Sequence, residues 1–136
     1  MRRESREKAF QTLFMMDALG IGPDDAIPLF ASAAGPASDT EYYEATVRGV
    51  WERRREIDAL IGEAAEHWRV SRMALVDRNI LRLGVYELSR AADIPFAVAI
   101  NEAVELGKRF GAEDSGSFIN GILDRIAGIV RRQGGA

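Results

Sequence analysis

Along most of this chain apolar residues recur at spacings of three and four, the period of a helix with one buried face. Between Arg3 and Leu19, the residues Ala9, Leu13 and Met16 share a face, flanked by Phe10 and Phe14. Gly20, Gly22 and Pro23 stop that run. Arg2 and Arg6 lie on the same side one and two turns earlier. Arginines do not belong in a core, so this end of the helix is expected to project past it, into solvent or toward a partner. Residues 20–40 carry the weakest pattern. Asp24 to Ala34 reads as a short helix, and Gly35, Pro36 and Ser38 mark a loop.

A helical pattern resumes at Asp39. Tyr43, Val47, Val50 and Trp51 form one stripe, and Ile57, Leu60, Ile61, Ala64 and Trp68 continue one. Gly49 or the charged run Glu52 to Glu56 is expected to break or bend it. Ser71 starts a short turn. Asp77 begins or caps the next helix, whose stripe is Ile80, Leu81, Gly84, Val85 and Leu88. Pro95 suits the first turn of a further helix. There Ala99, Ile100, Ala103, Leu106, Gly107 and Phe110 face one way, with Asn101, Glu102, Glu105, Lys108 and Arg109 opposite, and Gly111 is the expected C-terminal cap. The last helix is placed from about Ser115 to Arg132. Its stripe is Ile119, Ile122, Leu123, Ile126, Ile129 and Val130, and Arg131 and Arg132 suit its negative end. Residues 133–136 read as a frayed tail. No segment has strand periodicity and no repeat is visible. The expected fold is all-α: one compact domain over residues 1–136, a bundle of six or seven helices.

A length of 136 residues is enough for a real core. No long apolar run suggests a membrane span. The N-terminus is basic but has no apolar region behind it, so it does not read as a secretory signal. The absence of cysteine excludes disulfides and thiolate metal sites and fits a cytoplasmic protein. A formal net charge of −3 argues against indiscriminate coating of nucleic acid. The charge is uneven, however. Arg2, Arg3, Arg6 and Lys8 gather at the front against Glu4 and Glu7, and Arg53, Arg54 and Arg55 form a second basic run. Such patches bind phosphate backbones or are simply solvated helix faces.

Catalytic chemistry is hard to find. His67 is the lone histidine, with no cysteine or second imidazole to complete a metal site, and reads as the exposed end of a helix. Ser115 and Ser117 have no partnering base in a recognisable motif. Glu102 and Glu105 share a polar face with Lys108 and Arg109, so helix salt bridges account for them. The GAEDSGS stretch follows a helix, whereas phosphate-binding loops need a strand before them. No enzyme, metal or cofactor is expected. What remains are surfaces. The Arg-rich first turn is one. The N-terminus of the last helix is another, because its unpaired N–H groups can hold an anion. Phe118 either stacks on a base there or belongs to the core, and Ser115 either meets a ligand or caps the helix.

Several separated motifs, in order, resemble the NusB family. They are RRESREKAFQTLFMMD at the front, GVWERRREIDALIGEAAEHW in the middle, and DRNILRLGVYEL, INEAVEL and FINGILD at the back. The resemblance implies a NusB-like helical protein of two packed subdomains. It implies binding to boxA RNA and to NusE, a small-subunit ribosomal protein, in an antitermination complex on RNA polymerase at ribosomal RNA operons. Carried over by position, Arg2, Arg3 and Arg6 contact RNA, as does the turn with Asp114, Ser115 and Phe118. The partner protein meets Phe14, Asp77 and Arg78. Glu4 interrupts the arginine run, and Phe14 lacks the hydroxyl of the tyrosine common in relatives. Two alternatives remain. One is the isolated front domain of a ribosomal RNA cytosine methyltransferase. The other is an adaptor or homodimer without RNA binding.

Overall fold

The computed structural model describes residues 2–90 and 94–134. Seven α-helices and one 3-10 turn occur among them, with no strand, as the periodicity predicts. The chain divides into two compact units, one up to Arg53 and one from Arg54.

The first unit holds α1 (Arg2–Leu19), α2 (Pro23–Ala34) and α3 (Thr40–Glu52). α1 packs chiefly on α3 and also on α2. Ala9, Phe10, Leu13 and Met16 of α1 are buried, as are Ala26 of α2 and Tyr43, Val47 and Val50 of α3. Inside this unit the Thr12 and Tyr43 hydroxyls are 2.6 Å apart. Burial is the main reason the Tyr43 phenol is pushed above its ordinary pKa. Each helix end has a physical cause. Gly20, at φ 68°, closes α1 with its N–H on the Met16 carbonyl at 2.8 Å. Pro23 opens α2 at a position where a missing N–H costs nothing. The Asp39 carboxylate caps α3 by accepting from the N–H of Tyr42 at 3.1 Å.

The second unit holds α4 (Arg54–Ala64), the 3-10 turn Val70–Arg72, α5 (Leu75–Arg90), α6 (Phe96–Phe110) and α7 (Ser115–Gly134). The long mid-chain pattern is thus interrupted at Arg53, inside the charged run rather than at Gly49. α5 is central and packs on α4, α6 and α7. Burial of Asn79 and Leu83 as well as the expected Ile80, Leu81, Val85 and Leu88 makes it enclosed on more than one side. Two glycines let helices approach closely. A Cβ on Gly84 would lie 2.8 Å from Leu123 Cδ1, and one on Gly107 would lie 2.7 Å from Ile119 Cδ1. The Arg82 guanidinium joins α5 to α4 through two bonds to the Asp58 carboxylate, each 2.8 Å.

Three expectations need correction. Trp68 does not continue the α4 stripe. α4 ends at Ala64 and Trp68 stands in the following turn, 59% exposed. Asp77 is the third residue of α5 rather than its cap. Gly111, by contrast, is the C-terminal cap of α6 that the sequence suggests, its N–H on the Gly107 carbonyl at 2.9 Å, and it does so at φ −98° rather than in left-handed geometry. A Cβ there would lie 2.6 Å from Ser115 Cβ, and close approach explains the glycine. Finally, α7 runs through Gly134, so the tail does not begin at Gln133; residues 135–136 lie outside the described residues.

Candidate nucleic-acid interface

The basic turn of α1 is organised by Tyr42 of α3. The Arg2 guanidinium lies 4.9 Å from the centroid of that ring and the Arg6 guanidinium 5.8 Å. Two cations one helical turn apart thus lie over one aromatic ring. Arg2 and Arg3 are exposed. Arg6 is only 6% exposed, whereas the sequence suggests that both Arg2 and Arg6 project past the core, into solvent or toward a partner. An arginine can lay its apolar stem on a ring while its guanidinium stays satisfied, and this packing was invisible without knowing where Tyr42 lies.

Glu4 does more than interrupt the arginines. Its Oε1 accepts from the Ser38 N–H at 3.0 Å, the Ser38 hydroxyl at 3.1 Å and the Ser5 hydroxyl at 3.3 Å. The Ser38 backbone bond is the main reason its carboxyl sits below the usual glutamate range. Ser5, wholly buried, accepts from the Asp39 N–H at 2.8 Å. Lys8 donates to the carbonyls of Ala34, Gly35 and Pro36 at 3.0–3.2 Å. It therefore serves the C-terminus of α2 rather than the basic patch. Apart from the bond between the neighbours Ser5 and Glu4, none of these links is evident from the sequence, since each joins α1 to the end of α2 or the loop after it, 26–34 residues away.

In the second unit the turn before α7 folds on itself. Ser115 is 1% exposed and its hydroxyl accepts from the Ala112 N–H at 2.9 Å. Its role here is to close the turn. Asp114 is exposed and offers its carbonyl, which accepts from the Phe118 N–H and the Ser117 hydroxyl, each at 3.1 Å. No hydrogen bond to its carboxylate is found among the described residues. The Asp114 carboxylate is thus turned outward beside the positive end of α7. Phe118 is half-buried and meets Trp68 edge to face, with centroids 6.0 Å apart and planes at 82°. Neither of the two simple readings of Phe118, core or free, describes it.

The expected protein-binding residues are spread over both units. Phe14 is half-buried on α1, its ring 6.4 Å from Phe10. Asp77 lies in the first turn of α5, and its Oδ1 is buried with no hydrogen-bond partner. Arg78 donates to the Val70 carbonyl at 3.2 Å. Among the described residues no cluster of histidine and carboxylate side chains could hold a metal ion, and no helix is long and apolar enough to cross a membrane.

Comparison with known proteins gives this geometry a context. Residues 3–128 match the model of the NusB family. The transcription antitermination protein NusB of Anaeromyxobacter sp. (strain Fw109-5) is 49% identical over 128 residues, covering 93% of this chain and 89% of that protein. The solved structure of T. maritima NusB superposes with a TM-score of 0.86 at 39% identity, covering 94% of this chain and 91% of the other. A crystal structure of the antitermination factors NusB and NusE with double-stranded RNA gives a TM-score of 0.85 at 28% identity, covering 94% and 96%. Its relatives are transcription factors rather than enzymes, and the chain belongs to the NusB family of transcription antitermination factors.

Proposed function

We propose that this chain binds boxA RNA together with NusE, and that the pair acts on RNA polymerase at ribosomal RNA operons in the cytoplasm. The observation that carries this reading is the likeness, over 94% of the chain, to a NusB–NusE complex with RNA. The local chemistry supports it. Arg2 and Arg3 present exposed cations at the start of α1, and phosphate contacts of this kind position RNA without reading sequence. Arg6 steadies that turn on Tyr42. In the second unit Asp114 and Phe118 offer an acceptor and an aromatic ring to unstacked bases, with Ser115 holding the turn that carries them.

NusE docks, in this reading, on Phe14 and on the first turn of α5, with Asp77 and Arg78. A carboxylate oxygen buried without a partner has a reason to be there if a donor arrives with NusE. The test is co-elution on a sizing column. Equimolar NusE and this chain are expected to run as a heterodimer, and separate elution at micromolar concentration contradicts the assignment. A homodimer that excludes NusE would favour the adaptor reading.

A further inference from the structure

We propose that the Trp68 indole is a second base-stacking platform for single-stranded RNA, beside Phe118, in a groove kept open by Gly121. The proposal rests on the RNA-binding reading above and assigns to it a residue that the sequence placed on a buried stripe. Trp68 is 59% exposed, although tryptophan is a residue that ordinarily buries most of its area. It is nevertheless held in place. Its backbone N–H bonds the Ala65 carbonyl at 2.9 Å, and its ring is braced edge to face against Phe118. The α4 end that precedes it is fixed by Arg125, which donates to the Ala64 carbonyl at 2.9 Å.

The indole stands between two hollows. One, of about 260 Å³, is lined by Trp68, Phe118, Ser117, Gly121 and Arg125. The other, of about 580 Å³, runs along Trp68, Arg69, Val70 and Ser71. An exposed ring with space around it, braced by a second ring, is the arrangement on which a base stacks. The charge around it suits a polyanion. Arg125 lines the first hollow and Arg69 the second, against the one carboxylate of Glu66, which lines both.

Gly121 is the second, independent observation. It lies in the interior of α7, where glycine is less favourable than alanine. Its φ is not positive, and a Cβ added there would meet nothing within 4 Å. Neither backbone geometry nor packing within the chain accounts for a glycine at this position. What its missing side chain leaves is room in the groove beside Trp68.

The test is a titration of single-stranded boxA RNA and a scrambled control into the intact protein and five variants. Trp68→Ala is expected to weaken binding by about 5- to 100-fold, the range a lost base stack produces, and Trp68→Phe by less. Binding of boxA and of scrambled RNA should suffer alike, because every base has a face to stack. Gly121→Ala should raise the melting temperature, whereas Gly121→Leu, which fills the groove, should lower RNA affinity without unfolding the protein. In a Trp51→Phe background the remaining fluorescence belongs to Trp68 and should be quenched as RNA binds. Wild-type affinity in both Trp68→Ala and Gly121→Leu, with unquenched fluorescence, overturns the proposal while leaving the arginine contacts standing. Loss of NusE binding with RNA affinity intact also overturns it and assigns the groove to protein. A wild-type chain that binds no RNA overturns the functional reading and this one together.

Discussion

The Glu4 carboxylate accepts the backbone N–H of Ser38 at 3.0 Å and its hydroxyl at 3.1 Å, tying the arginine-bearing turn of α1 to the loop before α3. Because these bonds favour the charged carboxylate, its pKa in the folded protein is below its ordinary value of 4.5. A depressed carboxylate contributes stability that is present above the unfolded value and is lost as pH falls through the folded one. Glu4→Gln should therefore lower the urea midpoint at pH 7, and wild type and variant should converge as the pH is lowered below 4.5. A constant difference from pH 7 to pH 3 would show that charge at Glu4 is immaterial.

The three arginines should separate into two classes. Alanine at Arg2 or Arg3 is expected to reduce the salt slope of single-stranded RNA binding by roughly 0.7 each, with stability nearly unchanged. Arg6, buried over Tyr42, should behave otherwise: Arg6→Ala is expected to cost about 1 kcal/mol of stability through lost packing. Salt-dependent binding and denaturant melts of the three single variants check this division. Equal effects at all three positions would contradict it.

At the α7 turn, charge and position compete. The Asp114 carboxylate faces solvent beside the free N–H groups of the helix start, where it repels a phosphate that those groups would attract. Asp114→Asn should tighten RNA binding, most visibly at low salt. Since the carboxylate caps nothing among the described residues, thermal stability should change by less than about 0.5 kcal/mol. Filter binding at two salt concentrations reads the effect. Weaker binding would mean that the charge itself accepts a bond from RNA.

Asp77 gives a test confined to the protein partner. Asp77→Lys should slow association with NusE on the order of tenfold at low salt, and less as salt rises. A lysine in the first turn of α5 also opposes the helix dipole, at about 0.3–1 kcal/mol. Surface plasmon resonance against NusE measures the rate, and RNA affinity of the isolated protein should be little changed. Unaltered association would move the docking face elsewhere.

Most of the helices were legible because each shows the core a regular stripe. Ala9, Leu13 and Met16, or Ile119, Ile122, Leu123 and Ile126, sit on one face by spacing alone and are buried as that spacing predicts. Local punctuation was legible too: Gly20, Pro23 and Asp39 act where their chemistry suggests. What escaped was set by residues distant in sequence. No glycine or proline follows Ala64, where α4 ends and Arg125 of α7 donates to its carbonyl, so by spacing alone Trp68 reads as part of a stripe it leaves. Arg6 reads from the sequence as projecting into solvent or toward a partner because its cover, Tyr42, belongs to another helix. Lys8 reads from the sequence as basic surface because the carbonyls it serves lie at the end of α2 and just past it. Periodicity reports which face of a helix is apolar, and it carries no information on which polar side chain finds a distant partner.

The most direct test of the account is a titration of boxA RNA and a scrambled control, each with and without NusE. The chain alone should bind both RNAs through salt-sensitive phosphate contacts, with boxA the tighter. NusE should raise the affinity for boxA more than that for the scrambled sequence. Equal affinity for the two RNAs in the presence of NusE, or no RNA retained in either condition, would contradict the account.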